Sequence, residues 1–240
     1  VIVANGALLL FRFFANEQNF LIDAGGLSAF ASMFGALYGI MAAFILFTVW
    51  SQFNSTSQSI DAEANALKQL YRFTTYLRDE SVQKEIAEAI KNYTKLVIER
   101  GIRATTNGQR DPQTSDAFNQ IFSKLRLIQP RDAREQIVFD HILEQFKETS
   151  NLRTKRLNES VARLPRPLQI FLSIASLAVV LTFVFPIFQN LSTAIFTMTV
   201  TAALTSLLLL IILDLDNPFA GYWNLTPKPF ERFLDYLEKE

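Results

Sequence analysis

Residues 167–213 read PLQIFLSIASLAVVLTFVFPIFQNLSTAIFTMTVTAALTSLLLLIIL and contain no ionisable side chain. A hydrocarbon core of roughly 30 Å is crossed by about 20 apolar residues in helix, so this run is too long for one span and right for two. Pro186 removes a backbone donor and Gln189-Asn190 offer a polar turn, so the break belongs within FPIFQNLS (185–192). The expected result is a hairpin of spans over about 168–188 and 191–213. A second uncharged run, LSAFASMFGALYGIMAAFILFTVW (27–50), is long enough for one more span. The chain opens on Val1 rather than Met. VIVANGALLLFRFF (1–14) is half a span, expected to be completed by residues upstream, with Arg12 snorkelling at an interface. Four spans are therefore expected rather than three.

The composition agrees. Half of the 240 residues are hydrophobic, 22 are Phe, and mean hydropathy is +0.17, too apolar for an ordinary soluble domain. The zero net charge hides a split chain, because residues 52–165 hold 18 of the 23 Lys+Arg and 15 of the 23 Asp+Glu. Four segments follow: 1–51 with the first two spans, 52–165 as a helical domain, 166–213 as the hairpin, and 214–240 as a turn and amphipathic helix. Lys147, Arg153, Lys155, Arg156, Arg163 and Arg166 precede the third span, and Lys228 and Arg232 follow the fourth. The first loop and the hairpin turn have no Lys or Arg. Residues 52–165 and the C-terminus are therefore expected on the cytoplasmic side. Cysteine is absent, which excludes disulfides, thiolate metal sites and Cys nucleophiles.

The polar block reads as helices. Ile60, Ala64, Leu67, Tyr71 and Thr74 recur at spacings of three and four, as do Val82, Ile86, Ala89, Tyr93 and Val97, and then Phe118, Ile121, Phe122 and Leu125. A long helix is expected over about 132–164 with Ile137, Ile142, Phe146, Leu157 and Val161 inward. GIRATTNGQRDPQTSD (101–116) is the clear loop, ending in a Thr/Ser/Asp helix start. After the last span, Asp214 and Asp216 meet water, Asn217 before Pro218 ends the helix, and Gly221 permits a sharp turn. Tyr222 and Trp223 suit the interface belt. Thr226-Pro227 start a helix whose apolar face is Phe230, Phe233, Leu234 and Leu237.

Ala31, Gly35, Gly39 and Ala43 place small side chains along one face of the second span, with GALYG as a G-x-x-x-G pattern used for close helix packing. The competing use is a pore wall, with Phe30, Phe34, Leu37 and Met41 as an apolar constriction. Elsewhere the chemistry is sparse. His141 stands alone without ligand spacing, and no phosphate loop, nucleophile elbow or zinc-protease motif occurs. RTKR (153–156) reads as a solvated face near the membrane. Glu63 is a candidate ion-site carboxylate, although a single acid on a polar helix face ordinarily has a structural role. No cofactor, metal or nucleic-acid partner is expected, and no enzyme activity.

Three islands carry a resemblance: LDLDNPFAG (213–221) with TPKPFERFLDYL (226–237), EANALKQLYR (63–72), and RTKRLNESVARLP (153–165). Standing along the chain at 63–72, 153–165 and 213–237, the order in which that family carries them, and together with the spans, they resemble the bestrophin-like domain proteins. Glu63, Asn65, Asp216, Pro218, Phe219 and Gly221 are the motif residues. The wider resemblance is to bestrophins. It implies an all-α integral membrane protein with four spans and a long-helix cytoplasmic domain between spans two and three. It also implies a homo-oligomer, a pentamer, with an axial pore lined by the second span and conducting small inorganic anions. Asn217-Pro218-Phe219 is similar to the Asn-Pro-Phe after the last bestrophin span, but the calcium-binding acidic run that follows there is replaced here by AGYWN (220–224). The alternative is a non-conducting membrane scaffold or sensor whose helices bind a partner.

Overall fold

The computed structural model describes residues 1–14, 24–102, 104, 109–182 and 190–239, apart from the side chains of Arg12, Phe14, Ala24 and Leu27. The expected turn at Pro186 and Gln189, the loop centre at Asn107-Gly108, most of the first loop and the placement of Arg12 lie outside the described residues. Eight α-helices are described: α1 (Ile2–Phe14), α2 (Ala24–Thr74), α3 (Glu80–Leu96), α4 (Pro112–Leu125), α5 (Ala133–Val161), α6 (Arg166–Thr182), α7 (Leu191–Leu215) and α8 (Lys228–Lys239). A short π turn, Val97–Gly101, follows α3. There is no strand among the described residues. Two described helices, α2 and α7, are long and apolar enough to cross a membrane, or up to three spans if α5 and α6 count together as one; the apolar part of α1 is shorter.

The chain divides into two units. Val1–Trp50 with Leu164–Asp216 forms an apolar unit, and Ser51–Arg163 with Asn217–Glu240 a polar one. In the apolar unit α1 lies against α7 through Leu8, Ala194 and Met198. Asn5 donates through its amide nitrogen to the Thr199 hydroxyl at 2.9 Å, which offsets part of the cost of an amide in apolar surroundings. The expected polar turn ends with Asn190, which caps α7 by accepting from the Ser192 N–H at 2.9 Å.

The polar unit buries one core of side chains from α2, α3, α4, α5 and α8, including Leu67, Leu70, Ile86, Ile90, Ile121, Leu125 and Ile142. The stripes on α2 and α3 lie in that core or against it. Three outward corrections apply: Phe122, Ile137 and Val161 are exposed. Phe122 sits at the core's rim, its ring stacked on Phe146 at 5.5 Å. The periodicity of α5 points inward only where a neighbour covers it. The amphipathic C-terminal helix finds its cover within its own unit, since Phe230 and Phe233 are fully buried in this core. Each such ring is worth roughly 1.5–3 kcal/mol of burial.

Aspartates start three of these helices. Asp79 caps α3 by accepting from the Ser81 and Val82 N–H groups, and Asp132 caps α5 by accepting from the Glu135 N–H at 2.8 Å. α4 begins earlier than expected, on Asp111 with Pro112 in its first turn, because an Asp–Pro pair outcompetes the later Thr/Ser/Asp group as a start. The Thr114 hydroxyl (2.7 Å) and its backbone N–H (2.8 Å) hold the Asp111 carboxyl below the usual carboxylate range. A depressed folded pKa gives stability that is present above the unfolded value of about 3.9 and lost as pH falls through the folded value. Acidification below about pH 4 should therefore loosen α4. Asp111→Ala should cost about 1 kcal/mol at neutral pH, read from thermal unfolding followed by circular dichroism.

Candidate functional site

The apolar part of α2 presents two distinct faces. Tyr38, Ala42, Ile45 and Val49, spaced four, three and four, are buried within the apolar unit. Tyr38 hydrogen-bonds Ser176 of α6 at 2.9 Å. A second stripe, Phe30, Met33, Leu37, Ile40, Phe44 and Phe47, alternates threes and fours and is exposed throughout, from 51% at Phe30 to 69% at Phe44 and Phe47. Phe30 and Phe34 stack at 5.8 Å.

The seven candidate pore residues do not share one face. Successive helix residues turn by about 100°, so Leu37 and Gly39 leave the helix on nearly opposite sides of the buried Tyr38. Phe30 and Leu37 belong to the outward stripe. Ala31, Phe34 and Met41 are half-buried. Gly35 and Gly39 occupy the other flank, and a Cβ added at either would meet nothing within 4 Å. The small-residue face therefore does not serve close packing inside one copy of the apolar unit. Met33, Ile40, Phe44 and Phe47 escaped the sequence reading. Their three-four spacing was visible, but every face of an apolar span offers one.

In the polar unit the continuation of α2 carries a polar seam. Residues 52, 55, 59 and 63 line one side of the helix and meet α5 running the other way. Gln52 donates to the Ala162 carbonyl at 2.7 Å. Ser55 and Ser59 donate to the two carboxylate oxygens of Glu159, at 2.6 and 2.5 Å. Arg156 grips Glu63 through Nε at 2.6 Å and Nη2 at 3.3 Å, and the Tyr93 hydroxyl of α3 donates to the same carboxylate at 2.5 Å. Glu63, Tyr93 and Arg156 are all fully buried.

This corrects two expectations. Glu63 is not on a polar face, and Arg156 is not part of a solvated RTKR face, although Thr154 and Lys155 are exposed. The signal for Glu63 was legible: it lies three residues after Ile60 and four before Leu67, on the core stripe itself. Burial alone would pull the guanidinium of Arg156 down, but the adjacent Glu63 charge outweighs it and holds it above its ordinary value. Burial first, and then the Glu63 charge, push the Tyr93 hydroxyl up, so it stays a proton donor.

The turn after α7 is a clasp. Asp216 is buried rather than water-facing. It caps the start of α6, accepting from the Leu164 N–H at 2.5 Å and from Gln169 Nε2 at 3.1 Å. In the polar unit, Asn217 accepts from Arg163 Nη2 at 2.9 Å. Pro218 and Phe219 are buried, Gly221 takes φ 99°, and Asn65 is exposed. The motif residues thus sort into a buried ion pair, a helix clasp and one exposed amide. Among the described residues no group of three or more His, Cys, Asp or Glu could hold a metal ion.

Over residues 1–230 the sequence matches the bestrophin-like domain. The chain belongs to the bestrophin-like domain family. No curated protein matches it in sequence. The bestrophin-like fold is shared with a bacterial bestrophin homologue from Klebsiella pneumoniae. Two of its point variants and a structure of it solved by zinc phasing each superimpose with a TM-score of 0.74 at 12% identity, covering 99% of this chain and 93% of theirs. At that identity the likeness speaks for the fold alone. The bestrophin-like domain here is built on helices, with no strand among its described residues, and has the polar seam and the Asp216 clasp as its specific polar anchors.

Proposed function

We propose that this bestrophin-like protein is a membrane ion channel built from a ring of identical copies, five in number, with the axial pore lined by α2. The pore passes small inorganic anions, and the polar unit and C-terminus face the cytoplasm. The outward stripe of α2 carries this reading. Six large apolar side chains in heptad spacing face away from their own unit, beside a glycine flank with open space around it. Residues 24–50 and 167–213 contain no Asp, Glu, Lys or Arg, which makes an ion path inside one copy costly and favours a path between copies. In the ring, Phe30, Met33, Leu37, Ile40, Phe44 and Phe47 turn toward the axis as an apolar constriction. The Gly35–Gly39 flank receives the neighbouring helix. Family membership supports the channel, and the anion preference is carried over from the wider resemblance to bestrophins.

Planar bilayers containing the purified protein should show protein-dependent current whose reversal potential, under a chloride gradient, moves toward that of chloride. Currents no larger than in protein-free membranes, with the assembled protein demonstrably inserted, would overturn the channel and favour the scaffold reading. A reversal toward the cation potential would overturn only the anion preference.

A further inference from the structure

The chain after α7 builds a small closed loop with an aromatic tip. The Leu225 N–H donates to the Pro218 carbonyl at 2.7 Å and closes the base. The Ala220 N–H donates to the Asn217 carbonyl at 3.1 Å, and the Asn217 side chain accepts from the Phe219 N–H at 3.4 Å. Phe219 is buried and nails the base to the core of the polar unit. Gly221, at φ 99°, reverses the chain in a region that L side chains rarely adopt. The turn leaves Tyr222 92% exposed and Trp223 45% exposed. A soluble surface gains nothing from presenting two large aromatic rings on a braced loop.

We propose that the Tyr222–Trp223 tip is a membrane-surface anchor that inserts at the level of the lipid headgroups. Three observations select lipid as the occupant. Asp216, which ends the apolar helix α7, is six residues from Tyr222, a reach of at most about 20 Å even if fully extended. Residues 217–227 carry no Asp, Glu, Lys or Arg, so nothing charged resists entry into the interface, and the first charge beyond them is the exposed cation Lys228. An amphipathic ring pair with a flanking lysine is the chemistry that headgroup layers select. The inference rests on α7 being a span and does not depend on conduction.

The chain has only two tryptophans, Trp50 and Trp223. A Trp50→Phe variant in vesicles of phosphatidylcholine and phosphatidylglycerol therefore reports on the tip alone. Its emission should fall by roughly half with a spin label on the headgroups, and much less with a label near the chain ends or with aqueous iodide. Quenching by iodide but not by lipid labels would place the tip in water and overturn the proposal. Protection from all three quenchers would mean that protein, such as a neighbouring copy, covers it, which overturns the proposal equally. Strongest quenching by the deep label would also overturn the headgroup placement. If Trp50→Phe misfolds, the difference between the unmodified chain and Trp223→Phe gives the same reading.

Discussion

Glu63→Gln is expected to destabilise the polar unit by about 3–5 kcal/mol, because it leaves the Arg156 guanidinium buried without its counter-charge. Both side chains are essentially inaccessible, at 1% and 0% exposure, so water cannot take the carboxylate's place. Against a typical stability of about 5–15 kcal/mol, that loss should show as a large fall in the midpoint of thermal or denaturant unfolding of the detergent-solubilised protein. Arg156→Met should be comparably damaging, since it strands the carboxylate. The double variant Glu63→Leu/Arg156→Met removes both charges and should recover much of the loss, because well-packed apolar side chains can replace a buried pair at little cost. Tyr93→Phe should cost less, about 1.5–3 kcal/mol for one hydrogen bond to a charged group. A Glu63→Gln protein that unfolds at the same midpoint as the original would show that the seam is not what holds α2 to α5.

Gly39→Leu is expected to dissociate the ring while leaving each copy folded. Inside one copy a Cβ added at position 39 meets nothing within 4 Å, so the backbone there leaves room for a side chain to begin. In the proposed ring the same flank receives the neighbouring helix. Overpacking costs about 1–3 kcal/mol per contact, roughly fivefold to 150-fold in affinity at each interface. Size-exclusion chromatography with light scattering should report smaller species, while circular dichroism and the unfolding midpoint of the polar unit stay unchanged. Ile40→Ser and Phe44→Ala lie on the outward stripe instead. They should keep the ring and raise conductance, because an apolar constriction gates by excluding water. If Gly39→Leu leaves both assembly and current intact, the glycine flank faces lipid and the proposed helix arrangement is wrong.

The apolar runs, the helix stripes and the family markers were legible because each is a one-dimensional pattern. Uncharged length sets spanning capacity, and three-four spacing sets a helix face. At Arg156 and Asp216 residue type points one way and register the other, and register decides. Arg156 looked like one cation in a basic run, yet its neighbours Lys155 and Thr154 point outward while it points into the core. Asp216 looked like a charge escaping the membrane, yet it is spent on the backbone of Leu164 and on Gln169. The start of α4 was missed by a few residues because two competing cap groups stood in the same loop, and only folding chose between them.

By itself, then, the sequence determined that this protein is helical, that two long uncharged runs are apolar enough to cross a bilayer, and that its charges are confined to the segments around them. Those properties follow from the dielectric contrast between lipid and water and from helix periodicity, both of which act on local sequence. Only the tertiary structure decided which side of α2 is left uncovered, that Glu63 is partnered by Arg156 ninety-three residues away, and that Asp216 clasps the start of α6. A buried charge is tolerable only where a distant partner meets it at hydrogen-bonding distance, and that meeting depends on how the helices pack.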